Sequence, residues 1–143
     1  MRYSSLRPRR RRHGTAAVEL VLVSPVLITL ALGAVDFGRF AYNYIAVTNA
    51  ARAGASYGAM NSCLPTYFTT WQTNIQTAVT NEMSQQTGFV SKNLTVSSSS
   101  TIEGTGLRRV TVTASYPFTT VVNWPKIPSS TTLVATVVMR SVR

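Results

Sequence analysis

Residues 14–36 read GTAAVELVLVSPVLITLALGAVD, and how this stretch is read decides the architecture of the whole chain. No residue from Leu20 to Val35 is charged, and extending the run backwards across Glu19 to Ala16 gives 20 positions. As a helix that is about 30 Å, the thickness of a bilayer's hydrocarbon core. Pro25 lies inside the run. It removes one backbone hydrogen bond and predicts a kink or local unwinding of a kind that transmembrane helices tolerate.

Upstream, six of the chain's 14 basic residues crowd into the first twelve positions, as Arg2, Arg7, Arg9, Arg10, Arg11 and Arg12. Taking those six from the formal charge of +10 leaves +4 for the rest of the chain. The basicity is therefore local, and it speaks of topology rather than of a nucleic-acid-binding face. Arginines before an apolar span stay on the cytoplasmic side, so everything after Val35 is expected outside. Residues 1–14 have no apolar periodicity and read as a leader, outside any packing argument.

Downstream, the helical pattern continues through Phe37, Phe40, Tyr44 and Val47 without a strong turn signal. One helix over 15–60, transmembrane in its first half (16–35), is the simplest reading. At roughly 68 Å it outruns the bilayer, so its second half must find something to pack on. Ala46, Ala50, Gly54 and Gly58 recur every four residues there and permit close approach of another helix or a sheet. Asp36 and Arg39, three apart, can pair where the helix leaves the lipid.

From Asn61 the composition shifts to Ser and Thr, and residues 61–143 read as a small extracytoplasmic head. Trp71, Ile75, Ala78, Val79 and Met83 repeat at helical spacing, predicting a short amphipathic helix between Thr69 and Thr87 that Gly88 stops. Beyond Gly88 the period becomes two. Leu94 and Val96, then Val110, Val112 and Ala114, then Leu133, Ala135, Val137 and Met139 predict three strands. A loop at about 116–130 carries Pro117, Pro125 and Pro128, which argue against a central strand there. Its Phe118, Val121, Val122, Trp124 and Ile127 need cover from this domain or a neighbour. A three-stranded sheet is stable only with its apolar face covered, and the outer half of the long helix is the obvious cover. The predicted fold is α+β, a long N-terminal helix with a small head of one short helix and a three-stranded antiparallel sheet.

The inventory argues against catalysis. The single histidine, His13, lies in the leader; there is one cysteine and there are four acidic residues, of which Glu82 and Glu103 fall in the head. No zinc cluster, Ser-His-Asp set, carboxylate pair or phosphate-binding glycine loop can be composed from these, and no metal or other cofactor is expected. Cys63 has no partner within the chain. A buried apolar position is its expected place, and an intermolecular disulfide the alternative.

Several segments together, Thr15-Ala16-Ala17-Val18-Glu19-Leu20, Ser24-Pro25-Val26-Leu27, Asp36-Phe37-Gly38-Arg39 and Thr48-Asn49-Ala50-Ala51-Arg52-Ala53-Gly54, resemble the TadE-like minor pseudopilins of tight-adherence (Tad) pilus systems. The resemblance covers about Gly14 to Gly58 and is weak over the head. It implies a precursor cut between Gly14 and Thr15 by a membrane-embedded prepilin peptidase on the cytoplasmic side. It also implies partners among other pilins, pseudopilins and inner-membrane pilus assembly proteins, a single-pass location in the bacterial inner membrane or the pilus, and a role in assembly and surface adhesion. Glu19, fifth residue after the cut, would pair with the new amine of a neighbouring subunit. Major pilins usually begin with an aromatic residue after the cut, whereas Thr15 is small and polar. A charge deep in a bilayer costs roughly 2.5–3.5 kcal/mol on insertion scales, so Glu19 needs a partner or interfacial water; a helix N-terminus also favours a carboxylate.

Two alternatives use the same residues differently. Ala31-Leu32-Gly33 is a small-x-small site before Ala34, and a signal peptidase cutting there would release a soluble protein. Against it, Glu19 interrupts the approach to the apolar run and the helical pattern continues through the supposed cut. A DNA-binding minor pilin is the other reading. With the leader removed, Arg108, Arg109, Lys126, Arg140 and Arg143 are sparse and lack regular aromatic interleaving, so no nucleic-acid partner is expected.

Overall fold

A computed structural model describes residues 13–61, 63–104 and 106–141. The leader arginines, and Arg143 with them, lie outside the described residues. The chain divides into two compact units, one ending at Val35 and the other comprising Asp36–Arg143.

Helix α1 runs from His13 to Met60 and has Pro25 inside it. By length and composition it can cross a membrane. Up to Val35 its large apolar side chains are exposed. From Ala46 the pattern reverses: Val47, Ala50, Ala51 and Ala55 are fully buried and belong to the core of the second unit.

A 3-10 turn at Pro65–Tyr67 leads into helix α2, Phe68–Met83. Its buried residues Trp71, Ile75, Val79 and Met83 are four apart, which lines them along one face. The helix ends four residues earlier than Gly88 suggested. Ser84 accounts for this, because its hydroxyl bonds the Asn81 carbonyl at 2.7 Å and the residues that follow, Gln85, Gln86 and Thr87, bring no apolar side chain to bury. Gly88, at φ +78°, serves the turn that follows.

Strands β1 (Thr95–Ile102), β2 (Arg108–Thr119) and β3 (Ser130–Ser141) form an antiparallel meander in the order β1-β2-β3. Val110, Val112 and Ala114 on β2, with Leu133 and Ala135 on β3, supply its buried face. The other face mixes hydroxyls with exposed Val134 and Val138, and Thr113 and Thr136 are hydrogen-bonded across the strands at 2.9 Å. The α+β arrangement read from the sequence is the fold observed.

Pro117 departs from that reading, since it lies in the central strand, opposite Thr132. The register shows why this costs little. β1 pairs with β2 no further than Ser115, so beyond that point β2 has β3 as its one strand neighbour. Thr120 donates to the Ser129 carbonyl on the β3 side, and with backbone groups alternating along a strand the 117 position faces the side β1 has left. A missing N–H there breaks no ladder bond.

Candidate functional site

Gly14 and Thr15 fall in the first turn of α1 and are exposed, as is Glu19. The first N–H groups of a helix have no intrahelical acceptor, so the Gly14–Thr15 peptide sits where unwinding costs least. Thr15 and Glu19 are four apart and share one face, one turn from each other. An amine created at Thr15 would therefore emerge on the face that carries the carboxylate.

Within Leu20–Val35, the lost N–H of Pro25 leaves the Val21 carbonyl without its usual donor. The Ser24 hydroxyl supplies one at 3.2 Å, and Thr29 bonds the Pro25 carbonyl at 2.7 Å. A Ser-Pro pair is thus compatible with continuous helix in a medium that offers no water.

Ala46, Ala50, Gly54 and Gly58 point into the second unit, where all four are buried. A Cβ added at Gly54 would stand 2.5 Å from Val79 Cγ2, and one at Gly58 would stand 2.8 Å from Val110 Cγ1 and 2.9 Å from Ile75 Cδ1. Here the two glycines of the stripe serve the chain's own α2 and β2. Cys63 is buried beside them.

Asp36 does more than pair with Arg39. It is 6% exposed, and its carboxylate accepts hydrogen bonds from the backbone N–H of Val121 at 2.8 Å, the indole Nε1 of Trp124 at 3.0 Å and the N–H of Val122 at 3.3 Å. Arg39 Nη1 approaches the same carboxylate at 3.4 Å and the Thr119 carbonyl at 3.5 Å. Its guanidinium lies 5.6 Å from the centre of the Phe118 ring, which meets Phe40 edge-on at 5.5 Å. One side chain thus clamps the β2–β3 connection to α1. Sequence reasoning missed this clamp; the available signals were an isolated acid ending an apolar run and a proline-rich loop whose tryptophan needed an acceptor.

The Val121 N–H above all holds the Asp36 carboxyl below its ordinary value; desolvation pulls the other way, and the Trp124 and Val122 bonds and Arg39 add to the lowering. A carboxylate depressed in the folded state contributes stability above its unfolded value, about 3.9, and that contribution is lost as pH falls through the lower folded value. Acidification through that depressed value is therefore expected to release the loop. Trp124 fluorescence in the wild-type chain should shift in that range, and Asp36→Asn should abolish the transition. Fluorescence changing identically with acid in the wild type and in Asp36→Asn would contradict the clamp.

Among the head's cations, Arg109 and Arg140 both bond the Glu103 carboxylate. Among the described residues no group of three or more His, Cys, Asp or Glu gathers as a metal site.

No curated protein and no solved structure matches the chain. The family model of TadE-like proteins matches residues 14–56, from the glycine before Thr15 through the apolar run and most of the buried stripe. The N-terminal segment of this chain is therefore TadE-like.

Proposed function

We propose that this chain is a minor pseudopilin of a Tad-type pilus. It is made as a precursor, cut after Gly14 by a prepilin peptidase, and held in the bacterial inner membrane by residues 16–35. The leader faces the cytoplasm and the part from Asp36 onward is extracytoplasmic. It takes part with other pilus components in assembly and surface adhesion, and it is a peptidase's substrate rather than an enzyme. The observation that carries the reading is the TadE-like match, which opens on Gly14 and takes in the basic leader's boundary, Glu19 and the apolar run as one unit. Helix α1 also passes through Ala31-Leu32-Gly33 without a break, which favours retention of the span over release by a signal peptidase.

Two substitutions test separate steps. Gly14→Ala is expected to slow or block maturation, read as persistence of the longer band on a gel of cell membranes; normal processing would count against this site. Glu19→Ala should leave membrane insertion intact, because removing a charge makes a segment easier to insert. Pilus number by electron microscopy should fall sharply, and a normal number would contradict the pairing of Glu19 with a neighbour's amine.

A further inference from the structure

The β2–β3 connection, residues 120–129, holds its exposed apolar groups in a place the pilin reading leaves unexplained. Val121 is 66% and Ile127 59% exposed, although both flank a tryptophan tied down by Asp36. Phe37, Phe40, Phe118, Trp124, Ile127 and Pro128 line an open groove of about 410 Å³ beside that carboxylate. A solvated loop tip would be expected to be polar; this one presents branched aliphatics and an aromatic surface.

Its depth is set by connectivity. Asp36 directly follows Val35, the last residue of the apolar run, and one helical residue advances about 1.5 Å. Because the Asp36 carboxylate holds Val121, Val122 and Trp124, the loop is tied to the residue that directly follows the apolar run. Tryptophan is enriched at that level of a bilayer, and cations there meet lipid phosphates. Arg39 and Lys126 supply the cations, Lys126 from a left-handed backbone (φ 67°) uncommon for a non-glycine residue.

We infer that residues 120–129 form a membrane-interface loop: Val121 and Ile127 enter the boundary between headgroups and acyl chains in the leaflet that α1 leaves at Val35, with Arg39 and Lys126 on lipid phosphates. The lipid surface is the occupant of the apolar face, and Asp36 acts as the positioning residue that sets the loop's depth. This rests on the reading of residues 16–35 as a membrane span, so the test reports on the two separately.

The full chain with Cys63→Ala is spin-labelled through single cysteines at Leu27, Ile127 or Ser99 and reconstituted in vesicles of phosphatidylcholine with a minority of phosphatidylglycerol. Ser99 lies on exposed β1, opposite Thr111 and far along β2 from the loop. Accessibility to oxygen relative to a water-soluble nickel chelate should be highest at Leu27 and several-fold higher at Ile127 than at Ser99. In the unlabelled chain, acyl-brominated lipid should quench Trp124 and spare Trp71, which is 3% exposed in the core. Leu27 in lipid with Ile127 as water-exposed as Ser99 would overturn the inference and leave the span standing. Leu27 in water would overturn both. Spin–spin broadening at Ile127 that disappears on dilution with unlabelled chain would assign the face to a second copy and overturn the lipid assignment.

Discussion

Replacing Gly54 with leucine is expected to unfold the head while leaving the apolar part of α1 helical. The Cβ alone would meet Val79 Cγ2 at 2.5 Å, with Ile75 Cγ2 and Val112 Cγ1 each at 3.3 Å, and all three residues are fully buried. Val79 is β-branched within a helix, so it has essentially one χ1 rotamer and cannot swing aside. Overpacking a tight core typically costs about 1–3 kcal/mol and occasionally more. Leucine adds four carbons where the first already clashes, against a total stability of about 5–15 kcal/mol. Gly38→Ala is the control: nothing lies within 4 Å of a Cβ there, so the gain in helix propensity, about 1 kcal/mol, should appear unopposed. The two variants are predicted to move in opposite directions. Thermal unfolding in detergent should be followed by near-ultraviolet circular dichroism, because α1 dominates the far-ultraviolet signal. A Gly54→Leu head melting like the wild type would contradict the close approach of α1 to α2.

Trp71→Ala is the second large effect. Trp71 fills the contact between α2 and the last turns of α1, stacks on Phe68 at 5.8 Å and donates its indole N–H to the Gly58 carbonyl at 3.3 Å. That carbonyl is among the final four of α1, which lack intrahelical donors. Truncation should cost about 3–5 kcal/mol and lower the melting temperature by roughly 10 °C or more. Trp71→Phe keeps most of the volume and loses the hydrogen bond, so it should cost much less, about 1 kcal/mol for the bond plus a small cavity. A melting temperature for Trp71→Ala within a degree or two of wild type would show that the contact carries little.

Elements whose pattern follows from burial were legible without coordinates. The long helix, the four-residue repeat of Trp71, Ile75, Val79 and Met83, and the alternation on three strands each record which side chains leave water. Two features escaped because they depend on what lies across from a residue. Pro117 is acceptable in β2 since β1 stops at Ser115, a fact about register that the proline itself does not carry. Asp36 reads locally as the partner of Arg39, whereas its strongest contacts come from residues 85 to 88 positions away. The stripe of small residues announces close packing without saying on what, and in this chain its two glycines meet α2 and β2. The TadE-like character of residues 14–56 was visible because motif and helix coincide there. The head, built from common Ser, Thr and Val alternation, offers nothing so specific.

On the proposed function, the chain loses its arginine-rich leader and keeps the apolar run as an anchor. Mass spectrometry of the N-terminal peptide from native membranes tests it most directly. The expected product begins at Thr15 and is recovered with the membrane or the pilus. A soluble product beginning at Ala34, or functional pili whose subunits still carry the leader arginines, would contradict it.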